Sequence, residues 1–332
     1  MRYCLILSLL LLTQLPDSVT VAFWNLENFF DPFVDSTRSY NEFTEGGGQH
    51  WTMSRFYQKR NNIYKAILAF SHNRAIGIMG VCEVENEFVL NSVFGLTPLK
   101  RFNYRWVHYE GPDHRGIDPA IVYSVDCFQL ITSQAIPFRN PNDTSMVSRD
   151  ILYAKFFDYR SDTLHCFVNH WPSKYRGELE TIDARNCAAA ILRRQVDSIV
   201  GVVPDAKIII MGDFNDTPDA PCISKVLGAQ AVGECRDSLL CNLFASPRTL
   251  GFKGTLKYQE SWMVFDQIIV SRSLLESSKL HCNPKDAHIV HEDMLLADDP
   301  TYHGKKLNRT YVGPRYYGGF SDHLPVVLLL RY

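Results

Sequence analysis

The chain has 332 residues, of which 46% are apolar and 21% charged, and its formal net charge is −2. That composition excludes a disordered chain, and the length suits one large domain or two ordinary ones. The weakly acidic balance argues against a broad basic face that grips nucleic acid non-specifically, because such a face neutralises many phosphates.

Residues 1–18 read as a signal peptide. Met1-Arg2 is a positive start, and Tyr3 to Leu12 is an apolar run too short to span a bilayer. Export, to the periplasm or beyond the cell, is therefore expected. No later run is long and apolar enough for a transmembrane helix. Residues 19–332 contain no repeat, low-complexity tract or Pro/Gly/Ser-rich linker, which predicts a single domain.

Val19–Trp24 is the first predicted strand, and the polar run Asn25-Leu26-Glu27-Asn28 follows it. Apolar residues at 53, 56, 57, 63, 64, 67 and 68 predict a helix over Met53–Phe70, with Thr52 as its cap. Its Arg55, Lys59 and Arg60 are read as a solvated basic face. Ile76–Cys82 is a strand leading into Glu83-Val84-Glu85-Asn86, and Ala120–Ser124 and Ile151–Tyr159 are two more. Leu164–Asn169 leads into His170-Trp171-Pro172-Ser173. Glu178–Val200 carries a second helical stripe, closed by Gly201. Lys207–Met211 precedes Gly212-Asp213-Phe214-Asn215-Asp216. Asp266 stands just before the strand Gln267–Ser271, and Gly319-Phe320-Ser321-Asp322-His323-Leu324-Pro325 just before Val326–Leu330. Strands interleaved with a few helices predict α/β or α+β layers. The chain has nine cysteines. Cys82, Cys127, Cys166 and Cys187 lie in apolar segments and read as packed thiols, whereas Cys222, Cys235 and Cys241 share a polar stretch where an exported protein could form a disulfide.

The polar runs fall where strands end, a common place for sites. Their carboxylates and amide oxygens are hard ligands suited to Mg²⁺ or Mn²⁺. Such an ion offsets the anionic charge that protects a phosphate ester from attack. A His beside a carboxylate can donate to a phosphoryl oxygen, and an Asp can take a proton from water. The chain has no Gly-x-Ser-x-Gly elbow, P-loop or Gly-x-Gly-x-x-Gly cradle. Taken singly, each polar residue has a plainer reading: Asp213 and Asn215, between Gly212 and Pro218, are turn formers.

The six runs together, in this order from about Val19 to Leu328, resemble the endonuclease/exonuclease/phosphatase family. That resemblance implies a four-layer sandwich of two packed, mainly antiparallel sheets with helices on the outer faces. It implies a metal-binding Glu83, with Asn25 and Asp322 in the metal shell and Glu85 as a weaker claimant. It makes His170 a phosphate contact, Asp213 the acid that activates water and Asn215 its companion. His323 becomes the catalytic His and Asp266 the residue that orients it. Arg115 is carried over as a phosphate contact. Asp216, Asn86 and Asn169 would be supporting residues, and Ser321 a supporting hydrogen bond. The Arg- and Tyr-rich run Arg309 to Gly319 either lines a substrate groove or packs on itself as a surface loop. The implied activity is Mg²⁺-dependent hydrolysis of a phosphoester, first a phosphodiester such as nucleic acid, then a phosphomonoester or phospholipid headgroup. A non-catalytic binding module is the reading from another class. A monomer without a protein partner is expected.

Overall fold

Val21–Trp24 put apolar side chains on both faces of a strand, and most of residues 18–29 are buried, as a strand between two layers must be. The computed structural model describes residues 17–332 apart from 37–38, 141–142, 144–145, 161, 175–176, 236–238 and 247–249, and only the backbone of 178–180. Of the expected signal peptide, residues 1–18, the first sixteen lie outside the described residues, and Ser18 pairs with Arg331 in the first strand.

In chain order the elements are β1 (Ser18–Phe29), α1 (Met53–Phe70), β2 (Ile76–Val84), α2 (Glu87–Leu90), β3 (Tyr104–His108), β4 (Asp118–Ser124), β5 (Phe128–Ile136), β6 (Ile151–Asp158), β7 (Thr163–His170), α3 (Glu178–Val202), β8 (Lys207–Asp213), β9 (Ala229–Ala231), β10 (Leu240–Asn242), β11 (Leu256–Tyr258), β12 (Ser261–Met263), β13 (Asp266–Ser271), α4 (Arg272–Glu276), β14 (His281–Ile289), β15 (Leu296–Asp298), β16 (Lys305–Leu307), β17 (Tyr311–Val312), β18 (Arg315–Tyr316) and β19 (Val326–Arg331). One sheet has the order β14-β19-β1-β2-β4-β3 and the other β5-β6-β7-β8-β13-β10-β9. Most pairings are antiparallel, but each sheet holds a parallel pair at its heart, β1 with β2 and β7 with β8. Three small hairpins, β11–β12, β15–β16 and β17–β18, stand outside both sheets.

Strand alternation sets the layers. Ile209 and Met211 of β8 join the core shared with the first sheet, whereas Ile208 and Ile210 join the core built with α3. In the first sheet, Trp24 turns to Phe70 of α1, with ring centroids 6.4 Å apart. A Cβ on Gly80 would lie 2.8 Å from Val168 Cγ2 and 2.9 Å from Met211 Sδ, so the bare backbone there lets the two sheets close on each other. The order α1, sheet, sheet, α3 is the expected four-layer sandwich.

The Thr52 side chain accepts the Arg55 N–H and caps α1, as expected. The expected solvated basic face of α1 is corrected at Lys59, which is buried. Its ammonium donates to Glu27 O at 2.5 Å and to Thr310 Oγ1 at 2.7 Å. The disulfide joins Cys235 to Cys241 and leaves Cys222 free. Cys82 and Cys166 are packed thiols, whereas Cys127 and Cys187 are only part-buried. Among the described residues no helix is long and apolar enough to cross a membrane.

Candidate active site

Backbone register brings the polar runs together. Asp213, the last residue of β8, is the ladder partner of His170 on one side and of Asp266 on the other. In the first sheet Asn25 of β1 pairs with Cys82 of β2, next to Glu83. β19 enters that sheet opposite Phe23, so His323 just before it lies beside the same ends. Trp24 Nε1 donates to His323 O at 2.9 Å, and the Ser321 hydroxyl donates to Asn25 O at 2.6 Å. Asn25, His170, Asp213 and Asp266 therefore occupy ladder positions at strand ends and not the loops beyond, with Asp213 paired on both sides.

Glu83 is re-aimed by a local break in both ladders. The β1–β2 register shifts between Asn25 and Phe29, and the β2–β4 register shifts between Val81 and Val84. Within this bulge Glu27, Asn28 and Glu83 have φ of 51°, 47° and 60°, a conformation that residues with a Cβ adopt at a cost. The Asn28 N–H donates to Glu83 Oε2 at 2.6 Å. Asn25 Nδ2 then reaches Glu83 Oε1 at 3.4 Å and Asp213 Oδ2 at 3.1 Å, tying the two sheets at the site.

Asp213 divides its oxygens. Oδ1 accepts the Asn215 N–H at 2.9 Å, which is a turn-forming bond, and Oδ2 faces the site. The turn former and the reactive acid are thus one residue. Burial pushes its carboxyl up to about 7, while His323 and the Asn215 and Asn25 hydrogen bonds pull the other way. Near neutral pH it is poised between its two forms. His323 donates from Nδ1 to Asp266 Oδ2 at 2.7 Å, and its Nε2 is 3.7 Å from Asp213 Oδ2. Burial works against a charge on His323, but Asp266 and Asp213 outweigh it and hold the imidazole well above its usual range. His170 goes the opposite way. Burial, with Arg149, Arg115 and His323 adding to it, pushes it well below its usual range. The same buried setting therefore favours the imidazolium at His323 and the neutral imidazole at His170. His170 Nε2 lies 3.7 Å from Glu83 Oε1 and 3.8 Å from Asp213 Oδ2, and its buried Nδ1 has no hydrogen-bond partner among the described residues.

The oxygen atoms that suit a divalent ion are those of Glu83 and Asp213. Both turn to one Asn25 amide and both approach His170, with little solvent to screen them. Two carboxylates held together in a buried setting fit a hard cation. Asp213, Asp266 and His323 also lie close enough to share an ion. Asp266 Oδ2 is already engaged by His323 Nδ1, however, so that trio reads better as an acid–base relay than as a clasp.

Two members of the expected metal shell stand differently. Asn25 Oδ1 accepts the Glu27 N–H at 2.9 Å and its nitrogen faces the carboxylates, which makes it a brace. Asp322 accepts from Arg309 Nη2 at 2.8 Å at the rim. Asn215 Nδ2 donates to Trp171 O at 2.9 Å and joins the ends of β7 and β8. Arg115 reaches the site through Asn28, from Nη1 to Oδ1 at 3.4 Å. Of the supporting residues, Asp216 takes Arg185 and Lys174, Asn86 caps α2, and Asn169 accepts from Trp171. Glu85 accepts the Asp31 N–H, a structural role.

The sequence reading gave no site role to Glu27, Lys59 or Arg149. Glu27 is buried and accepts Thr310 N at 2.6 Å and Tyr311 N at 3.2 Å, fastening the late loop beside Asp322. Its place inside the first motif was the available signal. Lys59 and Arg309 flank it at 4.0 Å and 3.5 Å. Arg149, buried and 3.1 Å from Asp113, lines with Arg115 a cavity of about 700 Å³ on the His170 side. No motif in the sequence marks Arg149.

Residues 20–332 match the model of the Endonuclease/Exonuclease/phosphatase family. No curated protein matches the sequence. Among solved structures, a mannosyl-6-phosphatase of Bacteroides thetaiotaomicron is similar at 17% identity and TM-score 0.58, covering 95% of this chain and 100% of that one. The human Nocturnin catalytic domain with bound sulfate is similar at 16% identity and TM-score 0.55, covering 95% of each chain. D. rerio TDP2 with a single-strand DNA product is similar at 14% identity and TM-score 0.57, covering 96% of this chain and 100% of that one. At these identities the likeness speaks for the fold.

Proposed function

The chain belongs to the endonuclease/exonuclease/phosphatase family of divalent-metal-dependent phosphoesterases, and we propose that it hydrolyses its substrate by in-line attack of water at the centre formed by Glu83, His170, Asp213, Asp266 and His323. One observation carries the reading. Asp213 Oδ2 lies 3.7 Å from His323 Nε2, 3.8 Å from His170 Nε2 and 3.1 Å from Asn25 Nδ2, which also faces Glu83.

Glu83 would hold the ion, Mg²⁺ first and Mn²⁺ second, with Asn25 bracing it against Asp213. The ion supplies charge neutralisation on the phosphoryl oxygens. Asp213 receives the proton of the attacking water, a task suited to an acid that titrates near the working pH. Asn215 fixes the Asp213 carboxylate through its N–H. His323, held by Asp266, presents Nε2–H to the charge that develops on the phosphoryl oxygens, and neutral His170 donates from the other side. Arg115 and Arg149 face the cavity beside His170, where a substrate anion would be met by guanidinium groups.

A phosphodiester remains the first bond to test. The pair of arginines favours a second reading, a phosphomonoester, because a terminal phosphate brings more charge than a diester. Purified protein would be assayed with Mg²⁺ and with chelator against single- and double-stranded DNA, RNA, sugar phosphates, inositol phosphates and sphingomyelin. Turnover that survives chelation, or none on any substrate, refutes the mechanism. Export rests on residues 1–18 and is supported by the Cys235–Cys241 disulfide, which suits an oxidising compartment. Fractionating cells that express the full chain tests it, and retention of the protein with a reduced pair in the cytosol refutes it. A monomer is the proposed state, which sedimentation would check.

A further inference from the structure

All three hairpins that stand outside the sheets border one cavity of about 320 Å³. They are not loose appendages. Lys257 and Asp299 form a buried pair at 2.6 Å that clasps the first hairpin to the second. Thr255, at the foot of the first hairpin, accepts the Asp266 N–H at 3.1 Å on its hydroxyl and the Leu324 N–H at 2.8 Å on its carbonyl. The cavity wall is thus bonded directly to the two segments that carry Asp266 and His323. Arg309 lines the cavity and is ion-paired with Asp322, the neighbour of His323. The cavity is therefore tied by hydrogen bonds and an ion pair to the segments that carry the catalytic centre.

Its rim is aromatic. Tyr258, Tyr302 and Tyr317 are 66%, 43% and 53% exposed, one above each hairpin or its turn. These part-exposed rings, of which Tyr317 already carries the Arg315 guanidinium 5.1 Å from its centroid, stand around one cavity on walls fixed by a buried ion pair and form a prepared binding surface. The volume lies at the lower end for small-molecule sites and accommodates one or two rings, not a folded polymer.

Resting on the phosphoester reading above, we infer that this cavity binds the ring-bearing organic part of a small phosphoester, by stacking a ring face on Tyr302 or Tyr317 while the phosphate lies at Glu83 and Asp213. The shared chemistry is a flat ring face, which a nucleobase or a pyranose can supply.

The test separates this from catalysis. Chelator-treated protein would be titrated calorimetrically with adenosine and, in a second arm, with a methyl hexopyranoside. One of the two binds, and Tyr302→Ala and Tyr317→Ala each weaken it by about tenfold, the scale of one lost stacking contact. Tyr317→Phe retains binding. The arm that binds identifies the ring. With Mg²⁺, kcat/KM for the matching phosphoester exceeds that for ring-free glycerol 1-phosphate, and the alanine variants bring that ratio towards one through KM. Binding in neither arm, or alanine variants that bind like the wild type, overturns the inference. Absence of turnover with binding intact would count against the hydrolytic reading alone.

Discussion

Asp266→Asn isolates the charge behind His323. Asp266 is fully buried, its Oδ2 accepts His323 Nδ1–H at 2.7 Å, and its Oδ1 has no hydrogen-bond partner among the described residues. The amide oxygen of Asn can still accept from Nδ1, so the ring keeps its orientation. The substitution removes the largest of the influences that raise His323, while Asp213 and Asp322 remain against burial. The balance shifts towards the neutral imidazole, and the donor facing the developing phosphoryl charge is weakened. Removing one such preorganised donor costs about 2.7–4 kcal/mol of transition-state stabilisation, or a hundred- to a thousandfold in kcat. KM should move little, because the donor acts mainly on charge that appears in the transition state. Stability should hold or rise, since a buried carboxylate with an unpartnered oxygen is replaced by a neutral amide. Steady-state kinetics and a urea midpoint on the same preparation decide the matter. A fall in both kcat and the urea midpoint would show that Asp266 is structural, and an unchanged kcat would remove His323 from its assigned role.

Four further outcomes are expected. Mg²⁺ should stabilise the wild type with the logarithm of its concentration above Kd, by about 2.7 kcal/mol at a hundredfold excess, seen as a higher melting temperature, and Glu83→Gln should abolish that rise. An equal rise in the variant places the ion elsewhere. Lys59→Met leaves the buried Glu27 with only its backbone donors and the part-exposed Arg309, and should cost about 3–5 kcal/mol in urea unfolding; a loss under about 1 kcal/mol would show that the ammonium is dispensable. Gly212→Ala places a Cβ 2.4 Å from Asn169 O, a backbone atom that cannot turn aside, so β8 must shift against β7 and kcat should fall with the spacing of His170 and Asp213; unchanged kcat refutes this. Burial pushes His165 down from 6.5 to about 4 in the fold. Between these values the unfolded chain binds a proton that the folded chain does not, so stability falls as pH drops from about 6.5 towards 4. Comparing urea midpoints at both ends, His165→Gln should flatten part of that slope, and an identical slope would show that His165 does not contribute.

Much of this architecture was legible because β-branched runs such as Lys207–Met211 and the stripe of Met53–Phe70 can be buried in only one way. The strand ends were not legible. The predicted strands ended at Asn169 and Met211, whereas β7 runs on to His170 and β8 to Asp213. A residue that serves a site still completes a ladder, and hydropathy cannot see that. β5 and β14 were missed because edge strands face water on one side and dilute the period; β14 even carries Pro284, at a break in its register. Lys59 shows a different limit, since only the fold supplies the carbonyl, hydroxyl and carboxylate that make its burial tolerable. The late loop held both of its readings. Tyr311 is buried against Phe43 and Trp51, while Arg309 and Tyr317 face the cavity.

The deeper reason for the site's position lies in the packing of the two sheets. Each contributes its one central parallel pair, and parallel strands deliver two carboxyl ends side by side, which an antiparallel pair cannot do. Glu83 belongs to one sheet and Asp213 to the other, so their spacing is fixed by how closely the sheets approach as well as by either backbone. Gly80 permits that approach three residues before Glu83, on the same strand, and meets Val168 and Met211 two residues before His170 and Asp213 on theirs. Asn25 then spans the gap with one amide to both carboxylates. The separation of the two acids is thus a property of the hydrophobic core, read out at its edge as chemistry.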